Sequence, residues 1–186
     1  MATQVNAAEM EASRSVYRTP VGARIVAGIA AGILGGLLMI ATMMIYASVT
    51  DAGATMPLKA LGATVYGVEA LVAGPTAMMV GVLIQLGIAI AIGMIFALFV
   101  SRETSPVAAL LAGIVIGIAL WAAMGFYVLP QMNPTMAARI ALMPLGYFAA
   151  HILFGIGLAM SPAFMRMFVR ERPDRVRVHT QQILPI

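Results

Sequence analysis

The chain alternates between long apolar runs and short polar breaks, and the length of the runs decides what they are. Four are long enough to cross a bilayer as helices, which takes about 20 residues: Ile25–Val49, Thr76–Val100, Val107–Leu129 and Leu145–Phe164. None contains Asp, Glu or Lys. The runs do not alternate as lipid-facing β-strands would, and backbone in hydrocarbon must satisfy its own hydrogen bonds. The pattern therefore predicts an all-α, polytopic membrane protein with four transmembrane helices, residues 21–168 forming the membrane domain. A polar segment, residues 1–20, precedes it and a basic tail, residues 169–186, follows. The first run is expected to be a membrane span and not a cleaved leader, because it starts late, runs long and lacks a small-residue exit.

One break is itself patterned. In "MPLKALGATVYGVEALVAGP", Met56 to Pro75, Leu58, Leu61, Val65, Val68 and Val72 recur at helical spacing, while Lys59, Gly62, Tyr66 and Glu69 form a polar stripe. Pro57 suits a first helical turn and Gly74-Pro75 suits a stop. The expectation is an amphipathic helix over about 57–74, lying at the interface or folding back as a cap. As a fifth span it would bury Lys59 and Glu69 and invert everything downstream.

Composition changes the picture little: 62% hydrophobic and 10% charged residues fit the same class, as does a mean hydropathy of +0.99. With no cysteine, disulfides and thiolate metal sites are excluded. The placement of charge adds orientation. Of the 11 Lys and Arg residues, nine fall on one side: Arg14, Arg18, Arg24, Arg102, Arg166, Arg170, Arg172, Arg175 and Arg177. Only Lys59 and Arg139 fall on the other. The positive-inside rule then predicts both termini in the cytoplasm of a bacterial inner membrane. The tail is too short for a folded nucleic-acid surface, so nucleic acid is not an expected partner.

Two halves of the chain look related. "TPVGARIVAGIAAG" (Thr19–Gly32) and "SPVAALLAGIVIG" (Ser105–Gly117) share a Ser/Thr-Pro-Val start and Ala-Gly-Ile-x-x-Gly. Each is followed by a span with one polar side chain, Gln85 or His151, which suggests a two-fold internal repeat of parallel type. Gly28, Gly32 and Gly36, with Gly113 and Gly117, form small-residue ridges that let helix backbones approach. Those ridges face either other spans of the chain or another protein.

Candidate chemistry is sparse. At about 1.5 Å per residue, Thr42, Gln85 and His151 fall in one layer, each roughly 10–13 Å in from the outer ends of their spans. Three readings stand. A neutral His151 hydrogen-bonds a neighbouring helix and holds register. The layer binds or passes a small solute or ion. Or it holds metal, with Met39 and Met43 as a Met-x3-Met pair and His151 as ligand, fit for copper(I) or, with a methionine as axial partner, haem. The only other histidine, His179, lies in the tail. No carboxylate pair, nucleophile–His–acid set or phosphate loop is present, so no enzyme activity is expected.

The arrangement resembles a loose group of uncharacterised small bacterial four-span membrane proteins. Pro57-Leu58-Lys59-Ala60 opening an outer helix and His151-x3-Gly155 in the last span carry the likeness, with Gly81-Val-Leu-Ile-Gln85 standing where the group has Gly-x3-His. The resemblance implies the same fold and no particular activity. The expected role is a non-enzymatic accessory subunit or scaffold, associated with lipid, other membrane subunits or itself. A conduit through Thr42, Gln85 and His151 is the alternative, and copper or haem binding the third.

Overall fold

The computed structural model describes residues 19–168. The segment 1–18, with Arg14 and Arg18, and the tail 169–186, with Arg170 to Arg177 and His179, lie outside them. Every regular element among the described residues is a helix, and four stretches are long and apolar enough to span a membrane: Val21–Val49, Pro75–Phe99, Pro106–Met132 and Pro144–Phe168.

We label Val21–Val49 α1, Met56–Tyr66 α2, Pro75–Phe99 α3, Pro106–Met132 α4, Pro134–Leu142 α5, Pro144–Leu158 α6 and Ser161–Phe168 α7. Proline opens most of them. Pro57, Pro75, Pro106, Pro134 and Pro144 all sit in a first turn, where the missing N–H is no loss and φ is already helical. Ser105 adds a side-chain cap to α4, accepting from the Ala108 N–H at 3.2 Å. At the other end of α1, Asp51 takes φ 57° and the Ala52 N–H bonds the Ala47 carbonyl at 2.9 Å. That pair closes the helix as a Schellman turn, with Asp where glycine is commoner.

The four spans form an arc. Helix α1 packs on α3 and on α6, and α6 packs on α4, giving the spatial order α3–α1–α6–α4; α3 and α4 make no extended contact. Glycine sets two of these contacts. A Cβ on Gly28 would run into the Gly93 carbonyl and one on Gly32 into the Ala89 carbonyl. In the second half, Gly113 meets Gly155 and Gly117 meets the His151 carbonyl in the same manner. Gly36 lies against Ala89 and Leu86. All five predicted packing glycines therefore face other spans of the same chain, and none is left as an outward docking ridge. The matched crossings also set the register between the halves. Gly93 answers to Gly155, so Ala89 answers to His151. Gln85 lies one turn away and answers to Tyr147.

Three elements differ from the sequence pattern. The expected 57–74 helix stops at Tyr66, where Gly67 takes φ 63°, and continues as a 3-10 turn over Gly67–Leu71. Only its first part is a packed face. Leu58, Leu61 and Gly62 are buried, Gly62 against the Ala77 carbonyl of α3. Tyr66 and Glu69 of the polar stripe are exposed as expected, and Lys59 is half-buried. Val65, Val68 and Val72 of the apolar stripe are exposed as well; for Val68 and Val72 the break at Gly67 takes the chain off the helical repeat, whereas Val65 sits in the last turn of the helix, beyond the packed face. Span three runs on to Met132 through a π-turn at Met124–Val128. Pro130 would clash with the carbonyl four residues back in a regular helix, and a π-turn relieves this. Finally, α5 occupies what the hydrophobic pattern leaves as a connection.

Span four bends between α6 and α7. Pro162 cannot donate to the Leu158 carbonyl, and the Ser161 hydroxyl donates to it instead at 2.7 Å. This local substitution keeps a buried carbonyl satisfied at a proline. At the same end of the bundle, Arg24 donates to the Leu98 carbonyl at 3.0 Å and Arg166 to that of Arg102 at 2.7 Å. Lys59 and Arg139 lie at the opposite end, which α2 and α5 cap.

Candidate functional site

Inside the arc, beneath the α2–α5 cap, is a narrow, open-mouthed chamber with about 50 Å³ of room for the centres of water-sized molecules. Its back is Met39 of α1 and Tyr147, His151 and Phe154 of α6. Gln85, Ile88, Ala89 and Ile92 of α3 form one side; Leu120, Met124 and Leu129 of α4 form the other. Leu61 from α2 and Met136 from α5 cover the capped end. A narrower cavity adjoins it toward Met43, Pro57 and Leu58, sharing Met39, Gln85 and Tyr147 as walls.

The π-turn helps to shape this wall. In a regular helix, residues five apart lie about 140° apart around the axis, so Met124 and Leu129 would point in different directions. Here the Leu129 N–H bonds the Met124 carbonyl, an i→i+5 closure that turns both toward the chamber. Such turns recur at functional sites.

His151 is buried and its Nδ1 lies 2.9 Å from the Tyr147 carbonyl oxygen. A carbonyl only accepts, so Nδ1 carries the hydrogen and, in the neutral ring, Nε2 presents a lone pair. Nε2 has no hydrogen-bond partner among the described residues. The Tyr147 ring stands edge-on to the imidazole at 4.4 Å between centroids. Gln85, half-buried, donates from Nε2 to the Met39 sulfur at 3.2 Å, a weak acceptor for an amide.

The structure thus gathers Gln85, His151 and Met39 and leaves out two expected members. Thr42 does not wall the chamber: its hydroxyl donates to the Leu38 carbonyl of its own helix at 2.7 Å, the usual resort of a threonine in a helix. Met43 faces the neighbouring cavity, one turn beyond Met39, so Met39, Met43 and His151 do not share one site. Among the described residues, no group of three His, Asp or Glu side chains is placed to hold a metal ion.

Two residues escaped sequence reasoning. Tyr147 was hidden among apolar neighbours, though its position one turn from His151 was a usable signal. Asn133 is buried in the cap, donating to the Ala60 carbonyl at 2.9 Å and the Thr64 hydroxyl at 2.8 Å while accepting from the Met136 N–H at 2.9 Å. The dipeptide Asn133-Pro134, an N-cap followed by proline at N1, was its signal. No family model, curated protein or solved structure matches the chain; the class it belongs to is set by its helices, as an integral membrane protein of four spans.

Proposed function

We propose that this protein binds a small solute within the membrane, in the chamber walled by Gln85, Tyr147 and His151, without a catalytic step. One observation carries the reading: polar side chains from two different spans converge on a single, otherwise apolar space, the usual make-up of a small-molecule site. The accessory-subunit role loses one of its supports, because the glycine ridges are used inside the chain. A through-going conduit is disfavoured by the packing on the arginine-bearing side, where Phe154 and Ile92 border the chamber and glycine crossings lie beyond. The arginine asymmetry supports a cytoplasmic position for that side, and the resemblance supports a bacterial inner membrane.

The test is purification in mild detergent followed by mass analysis of co-extracted small molecules and ions. The wild type is expected to carry a defined species that Gln85→Ala and His151→Ala lose while keeping their helical content. An undiminished species in His151→Ala would overturn the reading. A stoichiometric partner protein with nothing in the chamber would restore the subunit role.

A further inference from the structure

The chamber's polar groups say what kind of molecule it suits. Tyr147 is 2% exposed, and its hydroxyl has no hydrogen-bond partner among the described residues. The Nε2 of His151 has none either, and the Gln85 amide donates only to a thioether. None of these three groups is sealed in packed protein, where Arg24 Nε is the one unpartnered side-chain atom among the described residues; they border the free space of the chamber, open to whatever enters it. These three together offer donors from Gln85 and Tyr147 and an acceptor from His151. That set suits an oxygen that accepts as a carbonyl or donates as a hydroxyl. No Lys, Arg, Asp or Glu walls the chamber, so a charged ligand would lose its hydration with no opposite charge to replace it.

The route in is lateral. Leu61 and Met136 cover the capped end, and Phe154 and Ile92 lie toward the arginine side. The helices α3 and α4 wall the chamber without packing on each other, and Ile88 at the rim is 40% exposed. A mouth between two transmembrane helices opens to hydrocarbon and admits what dissolves there.

We propose that the chamber takes the head of a neutral, lipid-soluble molecule bearing carbonyl or hydroxyl oxygens, of the quinone–quinol class, entering between α3 and α4 with its tail left in the bilayer. No electron transfer is part of this proposal, which rests on the binding reading above. The chamber offers about 50 Å³ to the centres of water-sized molecules, several times the roughly 10–15 Å³ that a single water needs.

The experiment uses the full chain in lipid nanodiscs, titrated with a decyl-benzoquinone and separately with its quinol, and read by the shift in thermal midpoint. Saturable binding of at least one is expected, weakened about tenfold by Tyr147→Phe and by Gln85→Leu, each of which removes hydrogen-bonding groups at nearly constant shape. Thr42→Val, off the chamber, is the control and should bind as the wild type. Absence of saturable binding, or equal binding in both chamber variants, overturns the proposal. So does stoichiometric copper(I) bound through Met39, Met124 and Met136, since soft thioethers are its preferred ligands. If both probes fail while a co-extracted species still depends on His151, the binding reading survives and the quinone class falls. If that species is missing too, both fall.

Discussion

Asn133 shows how one side chain fastens two elements. Its oxygen caps α5, and its amide holds two groups of α2, all at 2.8–2.9 Å, the bonds to Ala60 and Met136 buried and that to Thr64 part-buried. Removing it leaves the Met136 N–H at the start of α5 without its partner and takes from the Ala60 carbonyl and the Thr64 hydroxyl the bonds that tie α2 to α5. An N-cap contributes about 1 kcal/mol, and a buried hydrogen bond adds about 0.5–1.5 kcal/mol. Asn133→Ala is therefore expected to cost about 1.5–2.5 kcal/mol, measured by denaturant unfolding in detergent micelles. A loss under about 0.5 kcal/mol would mean the cap is not held this way. His151 is a different kind of residue. Its ring is positioned by its own helix through the Tyr147 carbonyl, and its other nitrogen faces the chamber unused.

Between elements, contact is set by what is missing from side chains. Gly93 and Gly87 both lie on α3, and the same substitution should act on them in opposite directions. A Cβ on Gly93 would meet the Gly28 carbonyl and the Gly32 backbone, whereas one on Gly87 meets nothing within 4 Å. Backbone cannot move aside as a side chain can, so Gly93→Ala must push α1 and α3 apart, costing about 1–3 kcal/mol. Gly87→Ala should be neutral or stabilise by up to about 1 kcal/mol through helix propensity. Thermal midpoints in detergent report both, and equal shifts would contradict the crossing described. The sequence made the glycines of α1 and α4 visible through their spacing, but not Gly93, the α1 ridge's partner on α3. It did not show which helix each ridge would meet, because a small-residue stripe has no directional chemistry. Nor did it reveal the π-turn, since Pro130 signals a disturbance without saying whether the chain kinks, stops or inserts a residue.

For the whole molecule, four spans were legible because hydrocarbon thickness and backbone hydrogen bonding leave few alternatives. The chamber was legible only in part. Depth counting along each helix placed Gln85 and His151 at similar heights, and both wall the chamber. It could not tell that Thr42 points elsewhere, because depth fixes height and not rotation about the axis. Orientation is open to a direct check, since the chain has no native cysteine and each introduced one stands alone. An impermeant maleimide added to intact cells should label Gln131→Cys, exposed at the capped end, and spare Glu103→Cys, exposed at the arginine end. The reverse pattern would invert the topology and place the capped end in the cytoplasm.

The serial order α3–α1–α6–α4 makes the α1–α6 seam the broadest contact joining the two hairpins among the described residues, with α7 continuing it at one end and the α2–α5 cap closing the other. Along it, Gly35 abuts Gly157 and Phe154, and Gly146 abuts the Tyr46 ring. Any motion that widens the mouth between the outermost rods must pivot there, as the covers of a book turn about its spine. Bulk added at Gly35 or Gly157 would thus act on access from a distance, altering how fast the interior fills without touching what it holds.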